Sequence, residues 1–341
     1  MCKQWPTIAQ RDDLIAKRET RSNKMQMQAT ARKILVVGGN GFIGSSICRA
    51  ALAKGMEVTS VSSSGRPYAT PNGHSPAWTS KVTWLKGNAF DPTTFSHVLS
   101  EMDGVAHSMG TLIEDNGVYK AALKDGDVTK LLSGLIENLN PKNPLSKRNT
   151  EGSYESLNRD SALRVCEAFI QSGEGKTYLS PRSFVYLSAE DISRPVIPSR
   201  YIETKREAEQ GIEALVSEKP QIYRGVYIRP SLVYHAHYRP LSTPIAALLD
   251  LSATLHAKVP RGIPKPADVL RSVGNALSPR SIPPQGHVDV GPVLESVANV
   301  LSIPPIHVDH VGDAVAIALQ SDDVRGVVGV PRMRELIGWH S

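Results

Sequence analysis

Three side chains are spaced so that together they could move a proton. Ser188 ends an apolar run, Tyr201 follows thirteen residues later, and Lys205 four after that. On a helix, the i, i+4 spacing sets Tyr201 and Lys205 on one face, one turn apart. A free phenol, with a pKa of about 10, is a poor acid–base group at neutral pH, and an ammonium beside it favours the phenolate. A hydroxyl at Ser188 could then hydrogen-bond the oxygen whose proton Tyr201 gives or takes. Tyr-x-x-x-Lys arises by chance in many helices, so it carries weight only beside a second signal.

That signal is the stretch ILVVGGNGFIG at 34–44. An apolar run stops on Gly38-x-x-Gly41-x-x-Gly44, and Gly39, Gly41 and Gly44 also give G-x-G-x-x-G. Glycines between a strand and a helix turn the chain tightly, admit a pyrophosphate without a Cβ in the way, and let the helix pack close to the strand. Asn40, Phe42 and Ile43 fill the remaining positions of the corner, where the helix N-terminus offers free N–H groups to phosphate. The next strand ends VSSSGRP. An acidic residue there would hold a ribose 2′-OH; Ser62, Ser63, Ser64 and Arg66 instead suit a 2′-phosphate, favouring NADP(H) over NAD(H).

These residues need a scaffold, and the apolar pattern supplies one. Strands are expected at 33–39, 56–62, 82–85, 104–110, 183–188 and 224–229, with helices at 42–54, 92–101, 151–173 and 200–217. The alternation predicts an α/β fold, a parallel sheet with helices on both faces. Residues 1–31 read as a tail, 32–238 as the main domain with a surface excursion at 111–150, and 239–341 as a smaller, mostly helical lobe. Within that lobe, 306–309 and 327–330 are expected to return as short strands. A helix at 244–255 is apolar on much of its surface, which suits core packing, a lipid-like substrate, a partner or a membrane surface. His307, Asp309 and His310 read as a packing strand rather than as metal ligands, and no metal is expected.

The combination of the glycine corner, Ser188, Tyr201-x-x-x-Lys205 and Asn158 resembles the short-chain dehydrogenase/reductase superfamily. Two segments, RPSLVY at 229–234 and IHVDHV at 306–311, resemble its extended or atypical branch. The likeness runs from about residue 32 to the end. It implies a Rossmann-type doubly wound sheet with a small C-terminal substrate lobe, and a catalytic set of Ser188, Tyr201, Lys205 and Asn158. In that set Lys205 also holds the nicotinamide ribose, and Asn158 holds a water linking Lys205 to solvent. It extends the cofactor-binding set beyond the corner and the serine–arginine turn to Asn88, Ala89, His107, Tyr201, Lys205 and Arg229. Arg229 also reads as a strand-end arginine paired with backbone or carboxylate. Asn88 departs from the pattern, because common extended members place an Asp there near the adenine.

SMGTLIEDNGVYK and MRELIGW look most similar to a narrower group. It holds the fungal mitochondrial oxidoreductase-like component of the coenzyme Q biosynthetic complex and the NADPH-holding accessory subunit of respiratory complex I. That likeness implies a mitochondrial setting, a multiprotein complex and a prenylated, quinone-like substrate. Many of the group lack the full catalytic set and serve as nucleotide-bound subunits; this chain keeps Ser, Tyr, Lys and Asn.

Bulk properties narrow the field further. The chain has 341 residues and a net charge of +6. Residues 1–33 carry eight basic side chains against three acidic ones, so the rest sums to about +1 and offers no basic footprint for nucleic acid. The tail reads either as an imperfect mitochondrial presequence or as a disordered extension, and its lack of an apolar run excludes a secretory signal. Cys2, Cys48 and Cys166 form no pairing pattern and fit a reducing compartment. The longest apolar candidate, 243–259, is broken by Asp250 and Lys258, so no membrane span is expected, although peripheral membrane contact remains compatible.

Overall fold

The computed structural model describes residues 31–110, 153–178, 180–192, 197–235, 250–251, 253–254, 256, 264–277, 294–296, 298–299 and 302–339. The tail, the excursion and most of the apolar helix expected at 244–255 lie outside the described residues.

Seven parallel strands form one sheet. In chain order they are β1 (Lys33–Val37), β2 (Glu57–Ser62), β3 (Val82–Lys86), β4 (Gly104–His107), β5 (Arg182–Leu187), β6 (Tyr223–Arg229) and, after two strands of a small ribbon, β9 (Gly326–Gly329). The spatial order is β3-β2-β1-β4-β5-β6-β9. The ribbon pairs β7 (Val233–Tyr234) with β8 (Ile306–His307). The main helices are α1 (Phe42–Ala53), α2 (Ser161–Gln171), α3 (Ser199–Ser217), α4 (Pro266–Leu277), α5 (Val308–Gln320) and α6 (Val330–Leu336).

β1 is apolar at consecutive positions because both its faces are covered. Ile34 and Val36 join the layer of Ile47 on α1 and Val311 and Val315 on α5. Leu35 and Val37 join the opposite layer, with Val165 and Phe169 on α2 and Ile212 on α3. Strand order reverses at β1, with β2 on one side and β4 on the other. In such sheets the ligand crevice lies beyond the carboxyl ends of the strands at that reversal. The glycine corner follows β1 there, and His107 ends β4 with Ser108–Gly110 after it.

The pattern-based elements differ from the structure where geometry overrides periodicity. The stretch 92–101 is a 3-10 turn, Pro92–Phe95, running into a short helix, Ser96–Leu99. β4 stops at His107 rather than at residue 110. The helix expected at 151–173 opens with a π-helical turn, Glu155–Asp160, before α2. The return at 306–309 is a strand for two residues only, because the His307 side chain caps α5 by accepting from the Asp309 amide. Two buried arginines begin neighbouring strands. Arg182 donates to the carbonyls of Leu99, Met102 and Phe169, and Arg224 to those of Ala318 and Val324, satisfying carbonyls at helix ends (Leu99, Phe169, Ala318) and in the turns after them (Met102, Val324). Among the described residues no helix is long and apolar enough to cross a membrane.

Candidate functional site

The glycine corner divides three tasks among its residues. Gly38 has φ +84°, a left-handed conformation that side chains resist, and its amide donates to the Val61 carbonyl of β2. Gly44 permits contact between helix and turn: a Cβ there would stand 2.8 Å from both the Gly38 carbonyl carbon and the Gly39 Cα. Among the described residues Gly41 begins α1 with extended dihedrals and no side-chain cap, and a Cβ there would meet only the Gly38 carbonyl oxygen, at 3.2 Å. Among the described residues the corner therefore packs tightly behind and stands open in front. Phe42 and Ile43 are half-buried in the first turn of α1. An uncapped helix start behind a Cβ-free approach is what a diphosphate requires, so these residues fit a dinucleotide.

The turn after β2 lies beside this corner. Asn40 Nδ2 donates to Ser64 Oγ at 3.2 Å, and the Arg66 amide donates to the same oxygen at 3.3 Å. Ser62 Oγ accepts from the Gly65 amide at 3.1 Å, and Gly65 takes φ +63°. Ser63, Ser64 and Arg66 are exposed. The three serines and the arginine thus form one ordered turn, joined through Asn40 to the glycine corner. Asn88 is exposed after β3; its Oδ1 accepts from the Phe90 amide, while Ala89 beside it is buried.

Around the end of β4 the remaining residues gather. Lys205 is 3% exposed and donates through Nζ to the Leu187 carbonyl at 2.7 Å, with the Tyr186 ring 4.7 Å away. The π-helical turn carries Asn158, which is fully buried; its Nδ2 donates to Thr204 Oγ1 at 3.4 Å, and its carbonyl accepts from the Tyr186 hydroxyl. Both groups converge on Gly110: a Cβ there would stand 2.8 Å from Lys205 Nζ and 2.9 Å from Asn158 Oδ1. A π-turn inside a helix shifts one side chain out of register, and such turns recur at functional sites. His107 is fully buried, with Nε2 3.3 Å from Ser161 Oγ, and its Nδ1 has no partner among the described residues.

The electrostatics differ from the sequence expectation in one respect. Burial pushes the Tyr201 phenol up to about 12, with Tyr154 adding to the rise and Arg206 opposing it. The expected lowering by Lys205 is not found: burial, and the Tyr154 ring packed edge-on against Tyr201, raise the phenol, and the cation that opposes the rise is Arg206. Tyr201 is therefore protonated at neutral pH. Burial also brings Lys205 down from 10.5 to about 7, with Glu209 opposing the fall. His107 is lowered to about 3 by burial and then by the charge of Lys205, so it stays neutral.

The depressed lysine fixes a pH dependence. Between about pH 7 and 10.5 the folded chain holds Lys205 neutral while the unfolded chain holds it charged. The unfolded state binds the extra proton, so this residue makes stability rise with pH across that window, and its penalty is complete below about pH 7. Lys205→Met is expected to flatten the rise in urea midpoint between pH 7 and 9.5; an unchanged slope would contradict the burial of the charge.

Ser188 faces a different set of groups. Its hydroxyl donates to Glu209 and accepts from Arg206 Nη1 at 3.0 Å. Glu209 also takes Arg206 at 2.7 Å and Arg229 through both Nε, at 3.0 Å, and Nη2. Arg229 thus serves as a strand-end arginine paired with carboxylate. Sequence motifs alone do not single out Glu209 and Arg206. The signal was present, since Glu209 extends the Tyr201, Lys205 series by another four residues.

Relatives place this arrangement in a class. Residues 34–122 match the NAD dependent epimerase/dehydratase family. The chain belongs to the epimerase-like, extended branch of the short-chain dehydrogenases/reductases, which bind a nicotinamide dinucleotide on a Rossmann-type sheet. MIOREX complex component 2 of Saccharomyces cerevisiae is 33% identical over 210 residues, covering 60% of this chain and 74% of that protein. An uncharacterised chloroplastic protein of Arabidopsis thaliana is 25% identical over 309 residues, 89% of this chain and 77% of its own length. The fold is shared with a 3-oxoacyl-acyl-carrier-protein reductase from Brucella melitensis solved in complex with NAD, at a TM-score of 0.52 and 13% identity over 89% of this chain and 96% of that one.

Proposed function

We propose that this protein binds NADP(H) and reduces a carbonyl on a prenylated, quinone-like substrate, in mitochondria and in support of coenzyme Q biosynthesis. The observation that carries the cofactor choice is the Asn40–Ser64 hydrogen bond, which sets the phosphate corner and the serine–arginine turn side by side. A bound nicotinamide would supply the hydride. Gly38, Gly41 and Gly44 would admit the diphosphate, and Arg66 would pair with a 2′-phosphate. Tyr201, held protonated, would give its proton to the carbonyl oxygen. Lys205, near neutrality in its titration and close to Asn158, would return a proton to the phenolate.

Titration with NADPH and NADH tests the first half. NADPH is expected to bind more tightly, and Arg66→Ala to weaken it by about tenfold or more while leaving NADH unchanged, since a charge-assisted hydrogen bond contributes about 1.5–3 kcal/mol. Equal affinity of the parent for the two would sink the NADP preference. Tyr201→Phe tests the second half. It should keep nucleotide binding and lower turnover by about 10²–10⁴, the usual scale of general acid catalysis.

A second reading is favoured by one observation, the engagement of Ser188 by Glu209 and Arg206. With that hydroxyl committed to an ionic cluster, the protein would serve as a nucleotide-bound subunit stabilising a complex. Quinone production unchanged by Tyr201→Phe would select this reading.

A further inference from the structure

Apart from the dinucleotide cleft, three side chains meet where the β7–β8 ribbon touches α1 and α5. His235 follows β7, His307 ends β8, and Asp309 lies in the first turn of α5. Each offers one nitrogen or oxygen, and these three atoms lie within 4.8 Å of one another. The rings of His235 and His307 are 4.9 Å apart. We propose that His235, His307 and Asp309 form a zinc site that ties the ribbon to the start of α5.

Two features of the geometry support it. First, His307 Nδ1 accepts the Asp309 amide at 3.2 Å, so it carries a lone pair, and it lies 3.7 Å from Asp309 Oδ2. That lone pair is held by the amide, so Nδ1 already stands at near-ligand distance from the carboxylate and becomes a metal donor by giving up the cap. Second, Asp309 is held from behind. Its Oδ1 pairs with Arg49 and accepts from the buried Ser46 hydroxyl at 3.3 Å, which leaves Oδ2 directed at His307. Outer partners of this kind orient ligands in metal sites.

The spacing and the donor types agree with the ion. Zinc takes nitrogen and oxygen at about 2.0–2.2 Å, so donors in a tetrahedral shell stand roughly 3.4 Å apart. The 3.7 Å pair is close to that, and the third donor closes by side-chain rotation. Binding would replace the Asp309 cap at Nδ1 with a stronger bond. Two imidazoles and one carboxylate suit a borderline divalent ion rather than calcium or magnesium. His310, whose ring is 5.7 Å from His307 and 4.6 Å from Trp339, stays outside the donor set.

The test uses the full chain, stripped with EDTA and titrated with Zn²⁺ by calorimetry, with Co²⁺ as the spectroscopic probe. One equivalent of zinc per chain and the visible bands of tetrahedral cobalt are expected. His235→Ala and, separately, the isosteric Asp309→Asn should each weaken zinc at least tenfold and remove the cobalt bands, while His310→Ala retains both. Absence of stoichiometric zinc binding and of tetrahedral cobalt bands in the unsubstituted protein would overturn the site. So would parental affinity in both His235→Ala and Asp309→Asn, which would place the ion on other histidines. NADPH affinity serves as the folding control for each variant.

Discussion

Gly44→Ala is expected to destabilise the protein by about 3 kcal/mol, the upper part of the range for overpacking a tight interior. The new methyl would stand 2.8 Å from the Gly38 carbonyl carbon and from the Gly39 Cα, and closer still to the Gly38 oxygen. All three are backbone atoms, so no rotamer change relieves the clash; either α1 moves away from the turn or the turn unwinds. Gly41→Ala supplies the contrast. Its dihedrals, φ −82° and ψ 176°, suit alanine, and its Cβ would meet a single atom at 3.2 Å. The loss of stability should be about 1 kcal/mol or less, the scale of an unfavourable N-cap change. The same methyl would project into the approach to the helix N-terminus, so NADPH affinity should fall by at least about tenfold. Urea denaturation and nucleotide titration on both variants separate packing from binding. If Gly41→Ala binds NADPH like the parent, the corner is a packing device and the dinucleotide reading of its open face fails.

Glu209→Ala should be at least as damaging, for a different reason. Glu209 is 5% exposed and serves Ser188, Arg206 and Arg229 at once. Removing one partner of a buried ionic cluster leaves uncompensated charge and destabilises by about 3–5 kcal/mol. The expected consequence extends to the chemistry, because Glu209 is the group that holds Lys205 against a further fall. In the variant Lys205 should titrate below 7, observable by amine-selective labelling across a pH series. Ser188→Ala should cost only about 1 kcal/mol, because both arginines keep their carboxylate. If Ser188→Ala leaves turnover unchanged while Tyr201→Phe abolishes it, Ser188 belongs to the ionic cluster rather than to the substrate. A loss of less than about 1 kcal/mol in Glu209→Ala would show that the cluster is solvated and contributes little.

Much of the fold was legible because its signals are local. The unbroken apolar run of β1, the glycines after it and the gap before the next strand fix strand, turn and helix through backbone sterics and burial on two faces. The same locality placed α3 within one residue of its start, since Tyr201, Lys205 and their neighbours repeat at helical spacing. The serine–arginine turn was legible for the same reason. A sequence could not show that Asn40 reaches Ser64 across 24 positions, or that Gly110 lies against both Lys205 and Asn158.

By itself, then, the sequence determined which residues stand at strand ends and helix starts, and hence that a glycine corner between strand and helix and a Tyr–Lys helix face both exist. Only the tertiary structure decided what each polar side chain faces. Burial raised Tyr201 and lowered Lys205, Glu209 drew Ser188 and Arg229 into one cluster, and His235 came to lie beside His307 and Asp309. Strand and helix signals depend on neighbours along the chain, whereas charge and hydrogen bonding depend on neighbours in space, which are set only when the layers pack.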